Sequence, residues 1–267
     1  MLHKRLILAL LTGLGAVPVP ALAWGGDGHR IVCAIAWDEM KPAAREKVEA
    51  LLQIDDRDAF ADLCNWADEY RGHGHQGTAP WHYVDVPPGA TKVVLSRDCP
   101  KPKSCAIEQI EHDAGTLRSA ASNEEKATAL KFLVHFVADL HQPLHVSRYR
   151  DEGGSLIKGT FMGRATNMHS VWDFAIIRNS GLTWHEISDQ LERTVTPAER
   201  RAWIASKPLD WANESVTIAN APETEYVMRE APFDLGDDYE RRELLVVYRR
   251  LSQAGVRLAQ VLNKGLD

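Results

Sequence analysis

Apolar residues recur with i, i+3, i+4 spacing in runs at 29–40, 42–54, 58–70, 104–121, 124–141, 167–179, 183–192, 197–206, 209–221 and 238–264. That period places them along one face of an α-helix. Alternation at period two, the strand signature, is nearly absent, so the pattern predicts an all-α, multi-helix chain. Helix-start chemistry agrees. Ser122 stands three residues before Glu125, Asn123 precedes a Glu-Glu-Lys run, and Pro42 and Pro197 occupy first-turn positions where a missing N–H costs nothing. Two stretches, 71–103 and 143–166, show neither period, and loops of that length in a compact domain usually carry function. No internal repeat or low-complexity segment interrupts the pattern.

One run breaks the amphipathic rule. KFLVHFVADLHQPLH, residues 131–145, begins apolar on nearly every side and so reads as buried, yet it contains His135 and Asp139 and ends on His145. His135 and Asp139 are four residues apart, about 40° in azimuth, and project from one helix face. Pro143 ends the helix, and the turn that follows can bring His145 back beside that face. His169 and Asp173, in NMHSVWD, repeat the same spacing. Imidazole nitrogens and carboxylate oxygens are ligands that zinc accepts. A single His-x-x-x-Asp is more often a hydrogen-bonded pair; two of them with His145 between predict a metal centre. His141 lies about 200° from Asp139 and is expected to be structural. The same holds for His112 and His185 on amphipathic helices, while His73 and His75, in a Gly-rich loop, are expected to be solvated.

Residues 1–23 carry Lys4 and Arg5, a short apolar run broken by Gly13, Gly15, Pro18 and Pro20, and an Ala-Leu-Ala ending. This predicts a cleavable export signal rather than a membrane anchor, with a mature chain starting at Trp24. No later segment is apolar enough to span a bilayer, and no Pro- or Ser-rich linker divides 24–267, which is expected to be a single domain. Export to the periplasm or beyond favours disulfides among the four cysteines. Cys99 and Cys105 enclose only PKPKS and are expected to pair, which leaves Cys33 for Cys64. A zinc site on these cysteines would lack any C-x-x-C spacing. The formal charge is −6; losing Lys4 and Arg5 from 31 basic residues leaves 29 against 37 acidic, or −8. Alone, that argues against a polyanionic substrate. Bound cations would change the argument.

Trp24 with His29, NWADEYR (65–71), WHYVD (81–85), HFVADLHQPLH (135–145), DEGGS (151–155) and NMHSVWD (167–173) together resemble the S1/P1 nuclease family in order, spacing and sequence. The chain is identified on these motifs as an exported, bacterial member. The resemblance is strong from Trp24 to about Asn179 and beyond that rests on length and helical pattern. It implies a phospholipase C/P1 nuclease-like fold and three zinc ions, which would bring the mature charge to about −2. Asp68, His82, His135 and Asp139 match the ligands of one ion, and His145, His169 and Asp173 those of a second. Trp24, through its α-amine and carbonyl, matches a third ligand set with His29 and the shared Asp139.

The activity implied is hydrolysis of single-stranded RNA and DNA to 5′-phosphorylated products, with removal of 3′-phosphates from nucleotides. The nucleophile is a zinc-activated water, with no Ser or Cys needed. Arg71 matches a phosphate-contacting arginine whose rival reading is a salt bridge to Asp68 or Glu69. Tyr83 and Asp85 match positions that hold a nucleobase. Ser155 stands where the family's glycine loop usually has Asn, which puts the substrate preference of that loop in question. The rival activity is that of a tri-zinc phospholipase C acting on lipid head groups; the short interval from Trp24 to His29 and the Asp at 173 favour the nuclease. A zinc-storage protein is the third reading, and Arg71 with the aromatic loop argues against it. A monomer without membrane attachment after signal removal is expected.

Overall fold

The computed structural model describes residues 24–102, 104–226 and 232–267; the leader read at 1–23 lies outside the described residues. Its helices follow the apolar runs. They are α1 (Gly26–Glu39), α2 (Pro42–Leu52), α3 (Arg57–Leu63), α4 (Trp66–Gly72), α5 (Leu95–Asp98), α6 (Ala106–Arg118), α7 (Asn123–His141), α8 (Met168–Ser170), α9 (Ile176–Asn179), α10 (Trp184–Thr194), α11 (Pro197–Trp203), α12 (Pro208–Ala219) and α13 (Asp237–Gly265). A π-helical turn, Val171–Ala175, joins α8 to α9. The fold is mostly helical, as the periodicity predicts, and no helix among the described residues is long and apolar enough to cross a membrane.

Helix α7 is the central element. From Ala129 to His141 every residue but Lys131 is buried, as befits a helix apolar all round. It packs against α6, α13, α12 and α4. Its start is a capping box: the Ser122 hydroxyl accepts from the Glu125 N–H, and the Glu125 carboxylate accepts from the Ser122 N–H. Helix α1 lies against α13, where a Cβ on Gly255 would fall 2.5 Å from Ile35 Cγ2 and 3.0 Å from the Val32 carbonyl. Only glycine permits that approach.

Two expectations change. The apolar run 58–70 is two helices, because the backbone tightens at Cys64 and Asn65 to i, i+3 bonds onto Ala61 and Asp62. The two stretches without period hold short strands: β1 (Val84–Val86), β2 (Val146–Arg148), β3 (Lys158–Phe161) and β4 (Arg164–Asn167), with β5 (Phe233–Leu235) further on. Strands β1 and β2 pair in parallel, Val84 to Val146 and Asp85 to Ser147. That register sets the segment after His82 beside the segment after His145. Strand β3 pairs antiparallel with β4 and parallel with β5. Both expected disulfides form; Cys33–Cys64 ties α1 to the α3–α4 turn, and Cys99–Cys105 closes the short loop before α6.

Candidate metal centre

Helix α7 presents His135 and Asp139 from one face, both fully buried. The Asp139 carboxylate divides between two groups of ligands. Its Oδ1 lies 3.2 Å from His29 Nε2, and its Oδ2 lies 3.0 Å from His82 Nδ1 and 3.2 Å from His135 Nε2. Helix α4 adds Asp68, whose Oδ1 is 3.6 Å from His82 Nδ1 and 3.7 Å from His135 Nε2. The 3-10 turn after α7 brings His145 back as expected, with Nε2 3.7 Å from Asp173 Oδ1. His169 Nε2 is 3.2 Å from Asp173 Oδ2 across one helical turn. Three overlapping sets of donor atoms converge closely enough that each could hold an ion, the first two drawing on the same His135: His29, His135 and Asp139; Asp68, His82 and His135; His145, His169 and Asp173.

Trp24 belongs to this centre. It is fully buried, its indole N–H donates to the Ala138 carbonyl at 2.9 Å, and its own carbonyl faces His29 Nδ1 in close contact. The Gly25 N–H donates to the Asp173 carbonyl at 2.7 Å. The first described residues are therefore bound into the site on both sides. The His29 and His135 rings lie parallel, 4.0 Å between centroids.

The donor set fits divalent cations. Among the described residues, His145 Nε2 and Asp173 Oδ2 are buried in these groups without a hydrogen bond of adequate geometry, as is His82 Nε2. Polar atoms so buried are costly unless something satisfies them. Three imidazoles are also fixed in the tautomer that a metal needs. His135, His145 and His169 each donate Nδ1–H to a carbonyl, of Cys64 at 2.7 Å, His82 at 2.8 Å and Gly153 at 2.9 Å. Each Nε2 lone pair is left facing inward.

Charges tell the same story. Burial holds His29 and His169 below their usual range and takes His82 to about 4, so these rings are neutral donors. Burial also opposes charge on His145, but Asp139 and Asp173 more than reverse it, to about 9; Asp139 and Asp68 likewise raise His135. Burial disfavours an ionised Asp139, yet His135 and His145 keep its carboxyl well below the carboxylate range.

Beside the centre opens a cavity of about 260 Å³ whose wall includes His82, His145 and His169 together with Arg71, Tyr83, Asp85 and Ser155. All four residues expected from the sequence to face a substrate thus share this wall with candidate metal donors. Arg71 is also ion-paired, its Nη2 lying 2.8 Å from Asp68 Oδ1, so the pairing of the rival reading coexists with a place on the cavity wall. Asp85 is exposed by area but crowded in the cavity; burial and the charge of Glu152 raise its carboxyl to about 6. A larger open groove, about 1150 Å³ between α10, α12 and α13, contains none of the clustered ligands. Size does not mark the site; donor chemistry does.

The other histidines behave as expected. His141 points away from Asp139 and is buried between the Val137 carbonyl and Arg257. His112 contacts Asp113, His185 contacts Asp58, and His73 and His75 are exposed. Sequence reasoning missed Gln142, fully buried, whose side-chain amide donates to Asp173 Oδ1 at 2.5 Å and whose carbonyl accepts from the Leu144 N–H. Its signal was its place between α7 and His145. The carbonyls that orient the histidines leave no mark in residue type.

Buried His and Asp donors gathered by a mostly helical fold form clusters that could hold metal ions. The chain belongs to the S1/P1 nuclease family, whose family model matches residues 24–267. It is similar to Endonuclease 4 of Arabidopsis thaliana, with 34% identity over 91% of this chain and 89% of the relative. It is also similar to Nuclease P1 of Penicillium citrinum, with 30% identity over 90% and 97%.

Proposed function

We propose that the chain is a zinc-dependent nuclease that hydrolyses single-stranded RNA and DNA to 5′-phosphorylated products and removes 3′-phosphates from nucleotides. The observation that carries this reading is the division of one buried carboxylate, Asp139, between His29 on one oxygen and His82 with His135 on the other. Family membership and the names of the relatives support a nuclease. Asp68, His82, His135 and Asp139 would hold one zinc, His145, His169 and Asp173 a second, and Trp24, His29 and Asp139 a third. Zinc, when bound, activates water and polarises a phosphodiester.

The remaining roles fall to the cavity wall. Arg71, held by Asp68, presents a guanidinium to the phosphate and stabilises charge that develops on it. Tyr83 offers its ring to a base, a contact that tolerates any base and that duplex stacking hides. Asp85 accepts from the base edge, and Ser155 supplies a hydroxyl on the glycine-loop side. Export to the periplasm or medium, with residues 24–267 as one monomeric catalytic domain, completes the proposal. On this reading the Trp24 α-amine joins its carbonyl at the metal only after the leader is removed.

The competing activity, a tri-zinc phospholipase C, uses similar ligands on a different substrate. Hydrolysis of single-stranded DNA, RNA, 3′-AMP and phosphatidylcholine, each with and without chelator, separates them. Chelator-sensitive cleavage of the first three and none of the lipid is expected; the reverse pattern would overturn the proposal.

A further inference from the structure

The loop between β2 and β3 contains a network to which no metal ligand belongs. Asp151 sits at its centre. Tyr226 donates its hydroxyl to Asp151 Oδ1 at 2.6 Å, and the Gly154 N–H donates to the same oxygen at 2.9 Å. Arg148 Nη2 lies 2.7 Å from Asp151 Oδ2. The same guanidinium stacks over the Tyr226 ring, 4.4 Å from its centroid, and donates to the Tyr226 carbonyl at 3.3 Å. Tyr226 is fully buried. Burial, then the Asp151 contact, pushes its phenol up to about 12, so it remains a donor at working pH.

The loop held this way has no slack. Gly153 and Gly154 adopt φ of 60° and 89°, a region that side chains disfavour. A Cβ on Gly153 would lie 2.7 Å from the Leu144 carbonyl and 3.0 Å from His169 Nδ1; one on Gly154 would lie 3.2 Å from both Met168 and Tyr226. The Gly153 carbonyl accepts a hydrogen bond from His169 Nδ1–H and so aims Nε2 at Asp173. The chain of contacts therefore runs from Tyr226, in a part of the molecule that supplies no ligand, through Asp151 and the Gly154 N–H to one imidazole.

We propose that Tyr226 is a positioning residue for the metal centre: through Asp151 it fixes the glycine loop whose carbonyl orients His169. The inference rests on the three-zinc reading above. It predicts a selective effect, because His29 and His135, in the other groups, have orienting carbonyls of their own on Trp24 and Cys64.

Tyr226→Phe, Asp151→Ala and Asp151→Asn are compared with wild type by zinc stoichiometry, chelator competition and melting of the chelated proteins. Tyr226→Phe and Asp151→Ala are expected to weaken one zinc of three by about tenfold or more, as losses of outer partners to metal ligands do. Asp151→Asn, which keeps an acceptor oxygen for Tyr226 and Gly154, should recover most of that affinity, and all chelated proteins should melt together. Three zincs held by Tyr226→Phe as tightly as by wild type would overturn the inference. So would loosening of all three with earlier melting of the chelated variant, since that is general damage. A wild type that binds fewer than three zincs would overturn the three-zinc reading itself, and this inference with it.

Discussion

Arg71 pairs with Asp68, and Asp139 shares His82 and His135 with it, yet the two should fail differently when changed. Arg71→Ala is expected to keep three zincs and lose about tenfold or more in kcat, because in the proposed role the guanidinium contacts phosphate rather than metal. Asp139→Asn should lose zinc as well as activity, since each of its oxygens faces a different group of histidines. Zinc analysis beside kinetics decides, and equal zinc loss in the two variants would refute the division. Asp85 makes a pH prediction. Its carboxyl ionises near 6, above its ordinary 3.8, because burial and Glu152 favour the neutral form. Folding is therefore aided by this group below about pH 4, and that contribution is lost as pH rises to about 6. If Asp85 takes its proposed role, its ionised form accepts hydrogen bonds from a base, and KM for a nucleotide should fall as pH rises through about 6. An identical pH profile in Asp85→Asn would count against that role. At this scale His135, Asp139, His169 and Asp173 stood out because two His-x-x-x-Asp pairs with His145 between them say more than either pair alone, whereas Trp24, His29, Asp68 and His82 were marked only by the family resemblance. Gln142, Tyr226 and the orienting carbonyls were not, because nothing in a residue's type says which backbone oxygen it will meet.

Elements were legible where they are long. Helix α7 shows its burial in its own composition, and its start in the Ser122–Glu125 box. Strands β1 and β2 are three residues each, too short for alternation to register, yet their pairing sets Tyr83 and Asp85 against the His145 turn. The break at Cys64 escaped notice because the apolar period runs straight through it; the disulfide to Cys33 and the tightened turn decide it. The end of α7 is held by α12 and α13. Ser215 donates to the Leu140 carbonyl at 2.6 Å and Arg250 to the His141 carbonyl at 3.0 Å, while Glu214 accepts from both Arg250 and Arg257. Burial and the two guanidiniums keep His141 neutral, so it accepts from Arg257. Glu214→Gln leaves two buried guanidiniums with a weaker partner. The expected cost is toward the lower end of the roughly 3–5 kcal/mol of a broken buried pair, because Glu214 is 35% exposed. Chemical denaturation would measure it, and a loss under about 0.5 kcal/mol would show that the cluster is not stabilising.

Across the whole molecule, ligands proposed for the zincs come from Trp24 and α1, α4, the turn at His82, α7 with the turn at His145, and the segment from α8 to Asp173, all joined at one place. Ion binding is then folding free energy. A site filled at 100 times its Kd adds about 2.7 kcal/mol, and removing that much lowers Tm by roughly 5–10 °C in a protein of this size. Calorimetry before and after chelation should show at least this drop, and an unchanged melt after verified zinc removal would sink the claim. The split carboxylate of Asp139 has a further thermodynamic consequence. Two ions that draw on one anion are not independent ligands: whichever binds first alters the charge and the freedom of the group its neighbour must use. Their affinities are linked by a single coupling free energy, and the factor by which one changes the other is the same in both directions. A zinc titration of the chelated protein should therefore resist description by separate, non-interacting constants, and perturbing His29 on one oxygen should alter occupancy at His82 on the other.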